Sequence, residues 1–168
     1  MEGSIEPPRR GRPGHDQNSM LEVIVEVFTD HGYDASSLGM IATRLGLSKS
    51  AVYRHFASKA EMLEIALERA LGELERVFDD AEAQEGDAVA RIRYIVREAV
   101  LVACEQQQYL TLLLRLHGNA EVELRALERR RVLTARLRKT FEEARAEGSL
   151  RDDLDPGLAA RFTFGLVN

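Results

Sequence analysis

The sequence predicts an all-α protein in two parts, an N-terminal three-helix head containing a helix-turn-helix and a larger helical-bundle body. Three observations carry this. Apolar residues recur at spacings of three and four through nearly every segment, which is the mark of one buried helix face. No segment shows the period-two alternation that a half-buried strand needs. Glycines 32, 46, 86 and 148 fall just after those periodic runs, where a left-handed residue commonly ends a helix.

Each element has its own signals. Met20, Leu21, Ile24, Val27 and Phe28 predict a first helix over about Asp16 to His31, ended by Gly32. Its β-branched run Val23–Val25 argues for a strand, but the helical spacing spans nine positions and outweighs it. Ser36 reads as the N-cap of a short helix carrying Leu38, Ile41, Ala42 and Leu45, broken by Gly46. Ser48 caps a third helix with Val52 and Phe56 inward, and Ser58 with Glu61 forms a capping box that opens a long fourth. Leu63, Leu67, Leu71, Leu74 and Phe78 mark one face of that helix, to about Ala83. Ile92, Ile95, Val96, Ala99, Val100 and Ala103 form the next stripe. Leu110, Leu112, Leu113, Leu114 and Leu116 make a short segment that is apolar nearly all round and is expected to be deeply buried. A charged helix from Asn119 to Glu147 follows, then one with Pro156 in its first turn and an apolar end containing Phe162, Phe164, Leu166 and Val167.

Composition limits the function classes. The chain has 168 residues, 45% of them hydrophobic, and a net charge of -5. No apolar run approaches the roughly 20 residues that span a bilayer, and the N-terminus lacks a signal-peptide core, so a cytoplasmic protein without membrane partners is expected. Cys104 is alone, and the four histidines share no metal-ligand spacing with it or each other. The sequence contains no His-x-x-Glu, nucleophile elbow or phosphate-cradling Gly loop, so an enzyme is not expected, nor any cofactor.

The charge is distributed unevenly. From Ala35 to Ala60 there are four cations, Arg44, Lys49, Arg54 and Lys59, and no acid, whereas from Glu61 onward acids outnumber bases 21 to 16. A basic head on an acidic body suits selective contact with a polyanion. Within that window Ala42, Gly46 and Val52 have helix-turn-helix spacing: a small residue where two helices cross, a Gly at the turn and an anchor on the second helix. Leu38, Ile41, Leu45, Leu47 and Phe56 supply the core of this unit. Lys49, Ser50, Ala51, Tyr53, Arg54 and His55 are left to face DNA.

The stretch FTDHGYDASSLGMIATRLGLSKSAVYRHFASKAEML resembles the DNA-binding segment of the TetR family of bacterial transcriptional regulators, with its G-Y, I-A, G-x-S-K, Y-x-H-F and S-K elements in order. The resemblance implies that Lys49, Tyr53, His55 and Lys59 hold phosphates, that Arg54 and Ser50 face base edges, and that Ser37 and Arg44 touch the backbone from the preceding helix. Two positions depart from the pattern: Ala51 stands where Thr is usual, and Gly39 where a helix-favouring polar residue is usual. Against these roles, Tyr53 also fits an ordinary half-buried ring, and His55 a partner for a helix end.

Two regions are less determined. In the arm, Arg10 and Arg12 belong to an RGRP stretch that resembles the core of an AT-hook, which lies in a narrow minor groove; the alternative is a solvated tail. In the body, Tyr94, Arg97, Cys104, Gln107, Gln108, Tyr109, Arg115, His117 and Phe162 are candidates for a ligand pocket, and each is equally at home packed or on the surface. The polar cluster CEQQQY marks either a cavity wall or a helix end.

The expectation is a basic flexible arm over 1–14, a helix-turn-helix DNA-binding domain over 15–60 and a helical regulatory and dimerisation domain over 61–168. Its partners are a double-stranded DNA operator, a second copy of itself in a homodimer, and a small-molecule effector. A helical adaptor that binds no DNA is the alternative, and it leaves the acid-free window unexplained.

Overall fold

The structure, a computed structural model, describes residues 16–166, all helix and connecting turns with no strand among them. Eight α-helices follow in order: α1 (Gln17–His31), α2 (Leu38–Leu45), α3 (Lys49–Tyr53), α4 (Lys59–Asp79), α5 (Ala88–Glu105), α6 (Gln107–Leu114), α7 (Glu121–Ala146) and α8 (Pro156–Leu166). A single 3-10 turn, Ala81–Ala83, links α4 to α5. The arm residues Arg10 and Arg12 lie outside the described residues.

The head is built on local caps. Asp16 accepts from the Ser19 amide at 2.7 Å and starts α1, which buries Met20, Leu21, Ile24, Val25, Val27 and Phe28. Ser36 does not cap α2. It is buried, and its hydroxyl donates to the carbonyls of Gly32 (2.6 Å) and Val27 (3.3 Å), closing the end of α1, while Ser37 caps α2 by accepting from Met40 N at 3.2 Å. Two adjacent serines carry the same local signal; tertiary contact with α1 decides between them. At the far end of α2, Gly46 takes the left-handed conformation (φ 65°), and Leu47 N reaches back to Ala42 O at 2.9 Å. With Gly46 N to Thr43 O this completes a Schellman motif.

The third helix is shorter than its pattern predicts. It holds five residues, and Phe56, expected on its inner face, is buried just beyond its end. Arg54 and His55 therefore stand on the turn after α3, not on its flank. The capping box also shifts: Ser58 accepts from Glu61 N at 3.0 Å, but the Glu61 carboxylate accepts from Ala57 N, one residue before the cap.

α4 is the spine. Its 21 residues span about 30 Å, and it packs against α1, α5, α6 and α7. Met62, Ala66, Ala70 and Val77 are buried beside the predicted Leu63, Leu67, Leu71, Leu74 and Phe78, so two adjoining stripes are covered. The stripe on α5 is narrower than expected: Ile95 and Ala99 are buried, whereas Val100 is 42% exposed. α6 buries Leu110, Leu112 and Leu113 but leaves Leu114, its last residue, exposed. CEQQQY is a helix end, with the break between α5 and α6 at Gln106. Glu123, buried at the start of α7, accepts from the amides of Asn119 (2.7 Å) and Ala120 (3.3 Å), and Pro156 occupies the first position of α8.

Candidate nucleic-acid interface

The four cations of the acid-free window have different environments. The Arg44 guanidinium lies 3.1 Å from Glu26 on α1. Lys59 donates to Tyr33 O (2.8 Å) and Ser36 O (2.9 Å), with its ammonium 4.3 Å from the Tyr33 ring centre. Two of its three N–H groups thus tie α4 to the turn between α1 and α2. Lys49 and Arg54 are exposed and make no ion pair among the described residues. Asp34, on the turn between α1 and α2, accepts from Asn119 Nδ2 at 2.9 Å.

Lys49 lies across the first turn of α2 beside the capping serine: a Cβ at Gly39 would lie 3.4 Å from Lys49 Cε, 3.7 Å from its Nζ and 3.5 Å from Ser37 Oγ, ordinary contact distances that leave room for a methyl. Ser50 Oγ is 3.0 Å from Ser48 Oγ, the α3 cap. Tyr53 is 55% exposed, not a half-buried ring, and Arg54 and His55 are exposed beside it. One contributor is absent from the sequence reading: Gln17 Nε2 donates to His55 O at 3.0 Å and holds the turn that carries Arg54 and His55 against the start of α1. A glutamine in the first turn of a helix carries no local signal of this.

Among the described residues the body candidates have different surroundings. Tyr94 Oη donates to Asp80 at 2.7 Å, and this bond to a carboxylate pushes the phenol up to about 12. Arg97 pairs with its neighbour Glu98, Cys104 is exposed, and Gln107 and Gln108 lie in the first turn of α6. Tyr109 is a core residue with the Arg69 guanidinium 5.4 Å from its ring centre, and burial raises its pKa. Phe162 is 62% exposed on α8. Arg115 and His117 line a common cleft, of about 540 Å³, between the C-terminal turn of α1 and the α6–α7 connection, where Arg115 Nη1 donates to Thr29 O at 2.6 Å. Among the described residues no group of three or more His, Cys, Asp or Glu is placed to hold a metal, and no helix is long and apolar enough to cross a membrane.

A helix-turn-helix with an exposed, acid-free second helix, mounted on an all-helical body, defines a class of DNA-binding transcriptional regulator. The comparisons agree. The profile of "Bacterial regulatory proteins, tetR family" matches residues 20–66, and that of the "Tetracyclin repressor-like, C-terminal domain" matches residues 85–168. The chain belongs to the TetR family, a non-enzymatic family of regulators.

Among its relatives, the crystal structure of SCO3833, a TetR family member from Streptomyces coelicolor A3, superposes with a TM-score of 0.86 at 39% identity, over 94% of this chain and 77% of that one. The transcriptional repressor KstR2 of Mycolicibacterium smegmatis is 29% identical over 164 residues, 93% of this chain and 78% of its own. AibR, solved in complex with isovaleryl coenzyme A and operator DNA, shares the fold at 21% identity with a TM-score of 0.73, over 90% of this chain and 83% of that one.

Proposed function

We propose that this protein is a repressor that binds a palindromic operator as a homodimer and is released by a small-molecule effector. The observation that carries the DNA reading is the pair Lys49 and Arg54, exposed and without acidic partners among the described residues, in a chain whose net charge is -5. Arg54 offers the planar fork that matches the O6 and N7 acceptors of guanine. Lys49, Tyr53 and His55 hold phosphates on either side of it, Ser50 adds a short reach to base edges, and Ser37 and Arg44 meet the backbone from α2. Lys59 contributes its remaining N–H. The arm, through Arg10 and Arg12, enters the adjoining minor groove once the helices have docked.

The homodimer reading is supported by apolar side chains on the outer helices. Leu158 and Phe162 on α8 and Val132 on α7 are exposed at 45%, 62% and 50%, and a second copy of the same surface would cover them. Two heads then sit about 34–36 Å apart, one helical turn of DNA. KstR2, which carries the name of repressor, supports the direction of regulation. An effector that favours a tilted α4 spreads the heads, and a coupling of about 1–3 kcal/mol gives roughly 5 to 150-fold release.

Selection of bound fragments from random DNA, followed by titration of the selected duplex, tests the whole reading. The expected product is an inverted repeat bound by two protomers. Recovery of no enriched sequence, or a monomer by light scattering at micromolar concentration, contradicts it.

A further inference from the structure

Where the last turns of α4 and the 3-10 turn meet α5 and the C-terminal half of α7, the helices leave a cleft of about 210 Å³. Its apolar side is formed by Phe78, Ala83 and Ile95, all buried. Its polar side has an imbalance of charge. Glu143 is the one carboxylate lining it, and two cations share that group: Arg91 Nη2 at 2.6 Å from Oε2 and Lys139 Nζ at 3.8 Å from Oε1. Arg136, the third cation of the wall, has its own acid in Asp79 at 2.8 Å. Arg91 Nε is buried with no hydrogen-bond acceptor among the described residues. The cleft therefore presents one positive charge in excess beside an apolar floor.

We propose that this cleft is a binding site for a small organic anion, a carboxylate or phosphoryl group on a compact apolar body, held by Arg91 and Lys139. The anion supplies the second negative charge that two cations around one carboxylate call for, and charge-assisted bonds from a guanidinium and an ammonium are the strongest available to it. Its apolar part covers Phe78 and Ile95. As an effector site the cleft is well placed, because it abuts the far end of α4, whose near end is bound to the head through Lys59. That regulatory role rests on the effector reading above; the binding site itself does not.

Titration calorimetry on the full chain tests it, with sodium butanoate and sodium phosphate as probes and sodium chloride at matched ionic strength as the blank. Binding is expected for at least one probe. Lys139→Gln, at a side chain 78% exposed and so without cost to folding, is expected to weaken it about tenfold. Arg91→Gln weakens it at least as much, and Arg130→Gln, outside the cleft, leaves it unchanged. Butanoate alone identifies a carboxylate, phosphate alone a phosphoryl group, and both together identify charge as the recognised feature; each upholds the site. Silence from both anions, or binding unaltered in both Lys139→Gln and Arg91→Gln, overturns it. The readout needs no DNA, so an anion that binds here and leaves operator affinity unchanged upholds the site and removes only its regulatory role.

Discussion

The Arg129 guanidinium on α7 meets the Glu75 carboxylate on α4 as a two-bond fork, Nε to Oε1 and Nη2 to Oε2, each at 2.7 Å. It is the centre of a ladder along the two helices, with Arg125 on Glu64 (3.0 Å), Arg129 also on Glu68 (2.7 Å) and Arg136 on Asp79 (2.8 Å). The outer rungs are exposed and contribute little singly. The fork is partly buried, and the hydrogen bonds it donates to Glu75 hold the guanidinium firmly protonated, so it fixes the register of α4 on the body. Arg129→Lys keeps the charge and loses the fork. It should cost about 0.5–1 kcal/mol in urea unfolding, and Arg129→Ala about 1–2 kcal/mol. Equal midpoints for wild type and Arg129→Ala would show that the ladder is solvated decoration.

Lys59 and Lys49 should separate stability from binding. Lys59→Met leaves the carbonyls of Tyr33 and Ser36 short of a donor and removes the ammonium from the Tyr33 ring, a loss of about 1–3 kcal/mol. Lys49→Ala touches nothing in the core. It should leave the melting temperature in place and reduce the salt slope of DNA binding by about 1 on any sequence. A Lys49→Ala protein that keeps its slope but changes its sequence preference contradicts the phosphate role.

Arg54→Ala should cost about 1–3 kcal/mol on the selected operator and much less on a scrambled duplex, relaxing preference at one G·C pair per half-site. Its place on the turn after α3, free of any ion pair among the described residues, means that folding stability should not change. Paired titrations at fixed salt decide the matter. Equal losses on both duplexes assign Arg54 to a phosphate.

Gly39→Ala is expected to stabilise the head by about 0.4–1 kcal/mol, since the added methyl meets Lys49 and Ser37 at ordinary contact distance and the freedom of a first-turn glycine in the unfolded chain is removed. DNA affinity should hold within about twofold, because Lys49 need not move. A longer side chain at 39 displaces the lysine. Loss of affinity for Gly39→Ala itself would mean that DNA requires the bare backbone there.

Alkaline titration should single out Tyr94. Its pKa is raised in the folded protein to about 12 by the bond to Asp80, so its contribution to stability is complete below about pH 10 and is lost as pH rises through 12. Tyr94→Phe should therefore remove the phenolate absorbance step near pH 12 and flatten the decline in melting temperature above about pH 10. A step of unchanged size near pH 12 in that variant would assign the raised phenol elsewhere.

Much of this protein was legible in its residues. Helical period, capping serines and left-handed glycines act over four or five positions, so the order of the helices, the turn at Gly46 and the inward set Ile41, Ala42, Leu45 and Val52 follow from the chain alone. The acid-free window does too, since charge counts need no coordinates. What those signals cannot resolve is choice among equivalent neighbours and the meeting of distant side chains. Ser37 caps α2 because Ser36 is drawn under α1; α3 stops at Tyr53 because Phe56 turns into the core; Lys59 binds carbonyls 23 and 26 residues away; and Gln17 holds the turn bearing Arg54. Local backbone preferences determined the elements, and only the packed arrangement decided which polar groups had to satisfy one another and which cations make no ion pair among the described residues.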